Sequence, residues 1–273
     1  MPLLKIRKAF IQAPRTPIKK KENEAIMQDK LLPKDLHITL TKKPKGCKII
    51  EGFPGFGLVA TIATGFLVEH LKCEQIGKFY FPVSPAAVAI HNCKLVDPVG
   101  VFYNKKYNLV IIHSITNVAG MEYAAADLII DVCKQLQVRE LISVEGVGSQ
   151  EIPQEPKAFY YCTSKTPITE LQKYGLKCLD EGIIIGSTGA LLLKAPEEKI
   201  PLTCIFTETH SGLPDSKAAA KVIETLDKYL HLDVPYEPLL KQAQQFEERL
   251  KGVIDHQNRT KELLSKADTN YVG

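Results

Sequence analysis

The chain has 273 residues, 45% of them hydrophobic, a formal net charge of +4 and seven cysteines. That is enough apolar material for one large core with extensions, while no apolar run reaches the ~18 residues of a membrane span. The cysteines (47, 73, 93, 133, 162, 178 and 204) are odd in number, widely spaced and without a C-x-x-C pair, which argues against a disulfide framework and a zinc site and for reduced thiols.

The charge is unevenly spread. Residues 1–45 hold 12 Lys/Arg against 4 Asp/Glu, and the remainder is net acidic. Residues 1–35 carry Pro2, Pro14 and Pro17, a lysine run at 19–21 and no sustained hydrophobic period, and read as a disordered basic extension. Its single aromatic, Phe10, provides no stacking platform, so a nucleic-acid partner is not expected. Lys5, Arg7 and Lys8 directly follow residues 1–4, which leaves no secretory apolar region, and the expected compartment is the cytoplasm.

Residues 36–235 read as an α/β core. An alternating edge strand at 36–40 leads to a short buried strand at 48–51, a glycine-rich turn containing Gly52, Pro54, Gly55 and Gly57, and a helix from Leu58 to about 71. Such a turn presents backbone N–H groups at a helix N-terminus, where an anion is favoured. Gly55-Phe56-Gly57-Leu58-Val59-Ala60 satisfies the dinucleotide pattern G-x-G-x-x-A, but the acidic residue expected about 20 positions on is missing. No Gly-Lys-Ser/Thr follows, so a P-loop is excluded and no cofactor is expected.

Strands are expected at 76–81, 86–90, 99–103 and 109–113, with a hairpin turn at 104–107. An amphipathic helix over 121–138 and a strand at 140–144 complete a strand–helix–strand unit of the parallel, right-handed kind. Further on come a strand at 158–163, a short helix at 168–174, a strand from Gly182 ending in a second glycine turn, a helix at 190–194 and a last core strand at 202–207. Asp215 or Ser216 caps a helix running to Leu230.

Residues 236–273 read as a long polar helix with a flexible tail. Leu239, Ala243, Phe246, Leu250 and Val253 follow a 4,3 spacing, as expected of a seam with another copy of the chain or of packing on its own domain.

Loops after the apolar strands bring Glu51, Gly55, Gly57, Glu122, Glu145, Ser187, Thr188, Glu208 and His210 toward the carboxyl ends of a parallel sheet, where ligands or anions bind. The carboxylates and the histidine suffice for acid–base chemistry, but no G-x-S-x-G elbow supplies a nucleophile, so no catalytic residue is assigned. The carboxylates can equally serve as helix caps and acceptors for loop amides.

Four motifs, in this order, resemble the proteasome assembly chaperone family in its archaeal form: Glu51-Gly52-Phe53-Pro54-Gly55-Phe56-Gly57-Leu58-Val59; Gly120-Met121-Glu122; Gly182-Ile183-Ile184-Ile185-Gly186-Ser187-Thr188-Gly189; and Glu208-Thr209 with Asp215. The resemblance implies a phosphorylase/hydrolase-like three-layer α/β fold with a mostly parallel sheet, homo-oligomers, and binding of proteasome α-subunits through a C-terminal tail. The tail here, Tyr271, Val272 and Gly273, places the tyrosine third from the end, one position earlier than the family pattern. The resemblance therefore points to a chaperone or adaptor without turnover, and some relatives with enzyme labels keep a phosphorylase-, hydrolase- or ligase-like enzyme as the alternative.

Overall fold

Alternation along the buried strands decides the architecture. Leu141 and Ser143 turn to one face of their strand while Ile142 and Val144 turn to the other, and all four are buried. A strand buried on both faces needs helices above and below it. The computed structural model describes residues 36–81, 88–91, 93–148, 155–209, 214–234 and 241. The basic extension, His210, the seam residues Leu239, Ala243, Phe246, Leu250 and Val253, and the tail Tyr271, Val272 and Gly273 lie outside these.

The strands are β1 (His37–Leu40), β2 (Lys48–Gly52), β3 (Glu74–Tyr80), β4 (Ala89–His91), β5 (Lys94–Val96), β6 (Val99–Asn104), β7 (Leu109–Ser114), β8 (Glu140–Gly148), β9 (Ala158–Cys162), β10 (Lys177–Cys178) and β11 (Leu202–Thr209). The helices are α1 (Val59–His70), α2 (Glu122–Leu136), α3 (Lys165–Lys173), α4 (Gly186–Glu197) and α5 (Ser216–Leu230). One sheet runs in the order β1-β3-β6-β7-β2-β8-β11-β9-β10. Its centre, β7-β2-β8-β11, is parallel throughout, and the pairs β1–β3, β3–β6, β6–β7 and β11–β9 on either side are antiparallel.

Two apolar layers sandwich this sheet. Ile49, Val110, Ile112, Leu141, Cys204 and Phe206 pack with α2 and α4. Ile50, Leu109, Ile111, Ile142, Val144 and Ile205 pack with α1 and α5. The result is a mixed α/β three-layer fold, as the sequence predicts. Asp215 caps α5, its carboxylate accepting from the Ala218 amide at 3.0 Å, a contact of the kind that contributes about 1 kcal/mol.

Three sequence expectations are corrected. β7 and β8 do not pair with each other, because β2 lies between them and pairs in parallel with both. The strand expected from Gly182 is absent: 182–185 pairs with no strand, and Ile183 and Ile185 are 91% and 62% exposed. An apolar triplet can line a rim as well as a core, and here the chain passes straight into α4. The strand expected at 86–90 is the short β4, paired with β5 outside the main sheet.

Candidate functional site

The carboxyl ends of β2, β8 and β11 and the N-termini of α2 and α4 surround a crevice of about 1020 Å³. Gly55, Gly57, Glu122, Glu145, Ser187 and Glu208 all line it, so the structure brings together most of the predicted residues. Glu51 and Thr188 are buried and absent from the lining; both are tied to Glu145 through hydroxyl contacts. The walls are largely apolar, with Phe53, Phe56, Val118, Val147, Phe159, Leu179 and Ile184. Glu181 also lines it, and among the described residues no Lys, Arg or His does.

The glycine turn is pressed onto its neighbours. Gly57 has φ +62°, a backbone conformation that side chains disfavour. A Cβ there would stand 2.3 Å from Thr209 Oγ1. The carbonyl of Gly57 accepts from the Asp215 amide at 2.8 Å, and the Thr209 hydroxyl donates to Asp215 at 2.8 Å. The turn is thereby stitched to the loop that starts α5.

Gly55 serves a different purpose. A Cβ on it would lie 1.8 Å from Glu145 Oε1, so the absence of a side chain is what lets that carboxyl lie against the turn. The Phe56 amide hydrogen-bonds Glu145, and the turn therefore receives its acceptor carboxyl from the protein itself.

Beneath the crevice, alternation puts Glu51 on β2 and Ser143 and Glu145 on β8 on the α4 side of the sheet. The Ser143 hydroxyl bonds Glu51 Oε1 and lies 2.9 Å from Thr188 Oγ1. Thr188 Oγ1 is hydrogen-bonded to Glu145 Oε2 at 3.0 Å. Glu51 Oε2 is buried without a hydrogen-bond partner. Burial pushes the Glu51 carboxyl up to about 7. Burial, with the charge of Glu51 beside it, pushes Glu145 up to about 8.

The other carboxylates do quieter work. Glu122 accepts from the Gly120 amide at 3.0 Å and Glu208 from the Lys157 amide at 3.2 Å. Sequence reasoning missed Ser143, although its place two residues before Glu145 on one strand face was the available signal. It also missed the rim formed by 181–185. Among the described residues no group of three His, Cys, Asp or Glu is placed to hold a metal ion, and no helix is long and apolar enough to cross a membrane.

Comparison with known proteins locates this arrangement. Two proteins of Methanocaldococcus jannaschii, both described as uncharacterized, are 26% and 25% identical over 228 and 236 residues; each alignment takes in 82% of this chain and 90% or 92% of the relative. The crystal structure of Pyrococcus furiosus PbaA, an archaeal homolog of proteasome-assembly chaperone, superposes with a TM-score of 0.74 at 29% identity, over 83% of this chain and 99% of that one. Pyrococcus furiosus PbaB, an archaeal proteasome activator, shares the fold with a TM-score of 0.68 at 24% identity, over 81% of this chain and 99% of that one. The resemblance carried by the four motifs is thus borne out. Residues 49–254 match the model of the PAC2 family, and the chain belongs to that family.

Proposed function

We propose that this protein is a proteasome assembly chaperone or proteasome-interacting adaptor, which binds α-ring subunits partly through Tyr271, Val272 and Gly273 and works as a homo-oligomer without turnover. The observation that carries the reading is the likeness to PbaA, which spans 99% of that chain at 29% identity. A docked tyrosine, with the chain's carboxylate facing a lysine of the ring, supplies a charge-assisted bond of about 1.5–3 kcal/mol and some ring burial, too little for tight capture by one copy. Several tails on one oligomer raise avidity about 10²–10⁴-fold, so capture and assembly are linked.

One observation favours a second reading, an enzyme acting on a small molecule in the crevice. Two buried carboxyls have raised pKa values, Glu145 in the lining and Glu51 beneath it, linked through Ser143 and Thr188. Against it, the described lining offers no cation to hold a phosphate or a developing oxyanion.

Capture of purified α-subunits tests the choice. Deleting residues 271–273 or making Tyr271→Ala should weaken capture without changing the fold, and Phe246→Glu should weaken it together with oligomer size. Deleting Gly273 alone, which makes the tyrosine penultimate, should strengthen it. Glu208→Gln should capture as wild type does. Equal capture by wild type and the tail deletion removes the tail from the reading, and no capture by wild type removes the reading itself.

A further inference from the structure

Protons can be counted along the contacts beneath the crevice. Glu51, Ser143, Thr188 and Glu145 form a continuous line of three oxygen-to-oxygen hydrogen bonds. Each hydroxyl brings one proton, and an ionised carboxylate brings none. Two hydroxyl protons cannot fill three bonds. If Ser143 donates to Glu51 and Thr188 to Glu145, two lone-pair oxygens face each other at 2.9 Å in a buried place.

We infer that Glu51 and Glu145 share a proton through Ser143 and Thr188, and that this proton latches the first turn of α4 and the glycine turn onto the sheet. Two arrangements satisfy every bond. With the proton on Glu51, Glu51 donates to Ser143, Ser143 to Thr188 and Thr188 to Glu145. With the proton on Glu145, all three bonds reverse, and the total charge is unchanged. The latch joins three pieces of the chain: Thr188 belongs to α4, Glu51 and Ser143 to the central strands, and Glu145 lies against Gly55 in the turn. This stands independently of the proteasome reading.

The surroundings favour retention of the proton. Cys133 on α2 and Cys204 on β11 interact with Glu51, and burial holds both thiols far above their ordinary range and neutral. From the crevice side come Glu122, Glu181 and Glu208, with no Lys, Arg or His among the described lining. Backbone amides of Phe53, Gly146 and Phe56 favour the ionised carboxyls, but burial outweighs them, and among the described residues no cationic side chain lines the crevice above the pair. Both carboxyls are raised above their ordinary 4.5, to about 7 and about 8; the stabilisation from keeping at least one proton on the pair is therefore fully present below 4.5 and is lost as pH rises through those values, the last proton leaving at the upper one.

Amide hydrogen exchange on the full chain, corrected for its intrinsic pH dependence, tests this. Between about pH 6 and about pH 9, protection of residues 53–58 and 186–189 should fall at least about tenfold, the equivalent of one pKa unit, while α5 changes little. Glu145→Gln, which keeps an acceptor and a donor but does not titrate, should lose that step, as should Thr188→Val. Carboxyl NMR of the unmodified protein gives a check that needs no variant: a protonated glutamic acid present at neutral pH and gone at about pH 9. A step that persists unchanged in a folded Glu145→Gln, or no protonated carboxyl at neutral pH, overturns the inference.

Discussion

Gly55 and Glu145 are complementary: a Cβ on the glycine would occupy a point 1.8 Å from Glu145 Oε1, so one residue is without a side chain where the other brings its carboxyl. Gly55→Ala should therefore push Glu145 off Thr188 and cost about 1–3 kcal/mol, the penalty of leaving buried polar groups unpaired. In a Glu145→Ala background the same change should cost far less. A double-mutant cycle by urea denaturation measures the coupling, and additive effects would refute the complementarity.

Gly57 is a harder constraint, because its neighbour and its backbone act together. A valine at φ +62° is strained, and its Cβ would stand 2.3 Å from Thr209 Oγ1. We expect Gly57→Val to destabilise by more than about 2 kcal/mol, with a soluble, wild-type-like melt as the contrary outcome.

His113 predicts the acid limb of the stability curve. Thr64 donates its only hydroxyl proton to the Ala60 carbonyl at 2.7 Å, so its 2.9 Å contact with His113 Nδ1 requires the histidine to donate. Burial holds the ring down from its ordinary 6.5 to about 4. The native state then binds fewer protons than the unfolded one, and this contribution, present above 6.5, is lost as pH falls toward 4. Nitrogen NMR should find the Nδ1–H tautomer, and His113→Asn should lose stability less steeply on acidification. A wild-type slope in that variant would assign the acid limb to other groups.

At the end of the sheet away from the crevice, buried Glu140 accepts from Thr203 at 2.6 Å and from Tyr229 at 2.6 Å, and pairs with Lys48 at 2.8 Å. Tyr229→Phe removes one donor to the buried carboxylate and should cost about 1–3 kcal/mol. Glu140→Ala leaves the Thr203 and Tyr229 hydroxyls without their acceptor and should cost more. Capture of α-subunits should be unchanged in both folded variants, since the proposed reading assigns it to residues 271–273 and to assembly, not to this network. Thermal melts and the capture assay, run on the same preparations, separate the two effects.

What could be read in advance follows physical range. β2, β7, β8 and β11 were legible because doubly buried strands are continuous apolar runs, and the start of α5 because Asp215 announces a cap locally. Gathering of the crevice loops followed from parallel pairing alone. The strand order was not legible: that β2 separates β7 from β8 is decided by packing across the whole sheet. Nor was the meaning of Gly182-Ile183-Ile184-Ile185, whose composition is the same for a buried strand and a crevice rim. Ser143 hid inside an apolar run because its partner, Glu51, lies 92 residues away.

The face of the sheet beneath α2 and α4 also changes character along the strands. On β2 it passes from Ile49 to Glu51, and on β8 from Leu141 through Ser143 to Glu145, while Ile142 and Val144 on the reverse face stay hydrocarbon. This is a gradient of polarity with its ionisable end under the crevice and its hydrocarbon end in the core. A charge brought to that end is shielded by water on one side only, and its field is attenuated less than that of a surface charge. A charge placed in the crevice would therefore be felt by Glu145 and Glu51 through a medium that screens it less than bulk water does.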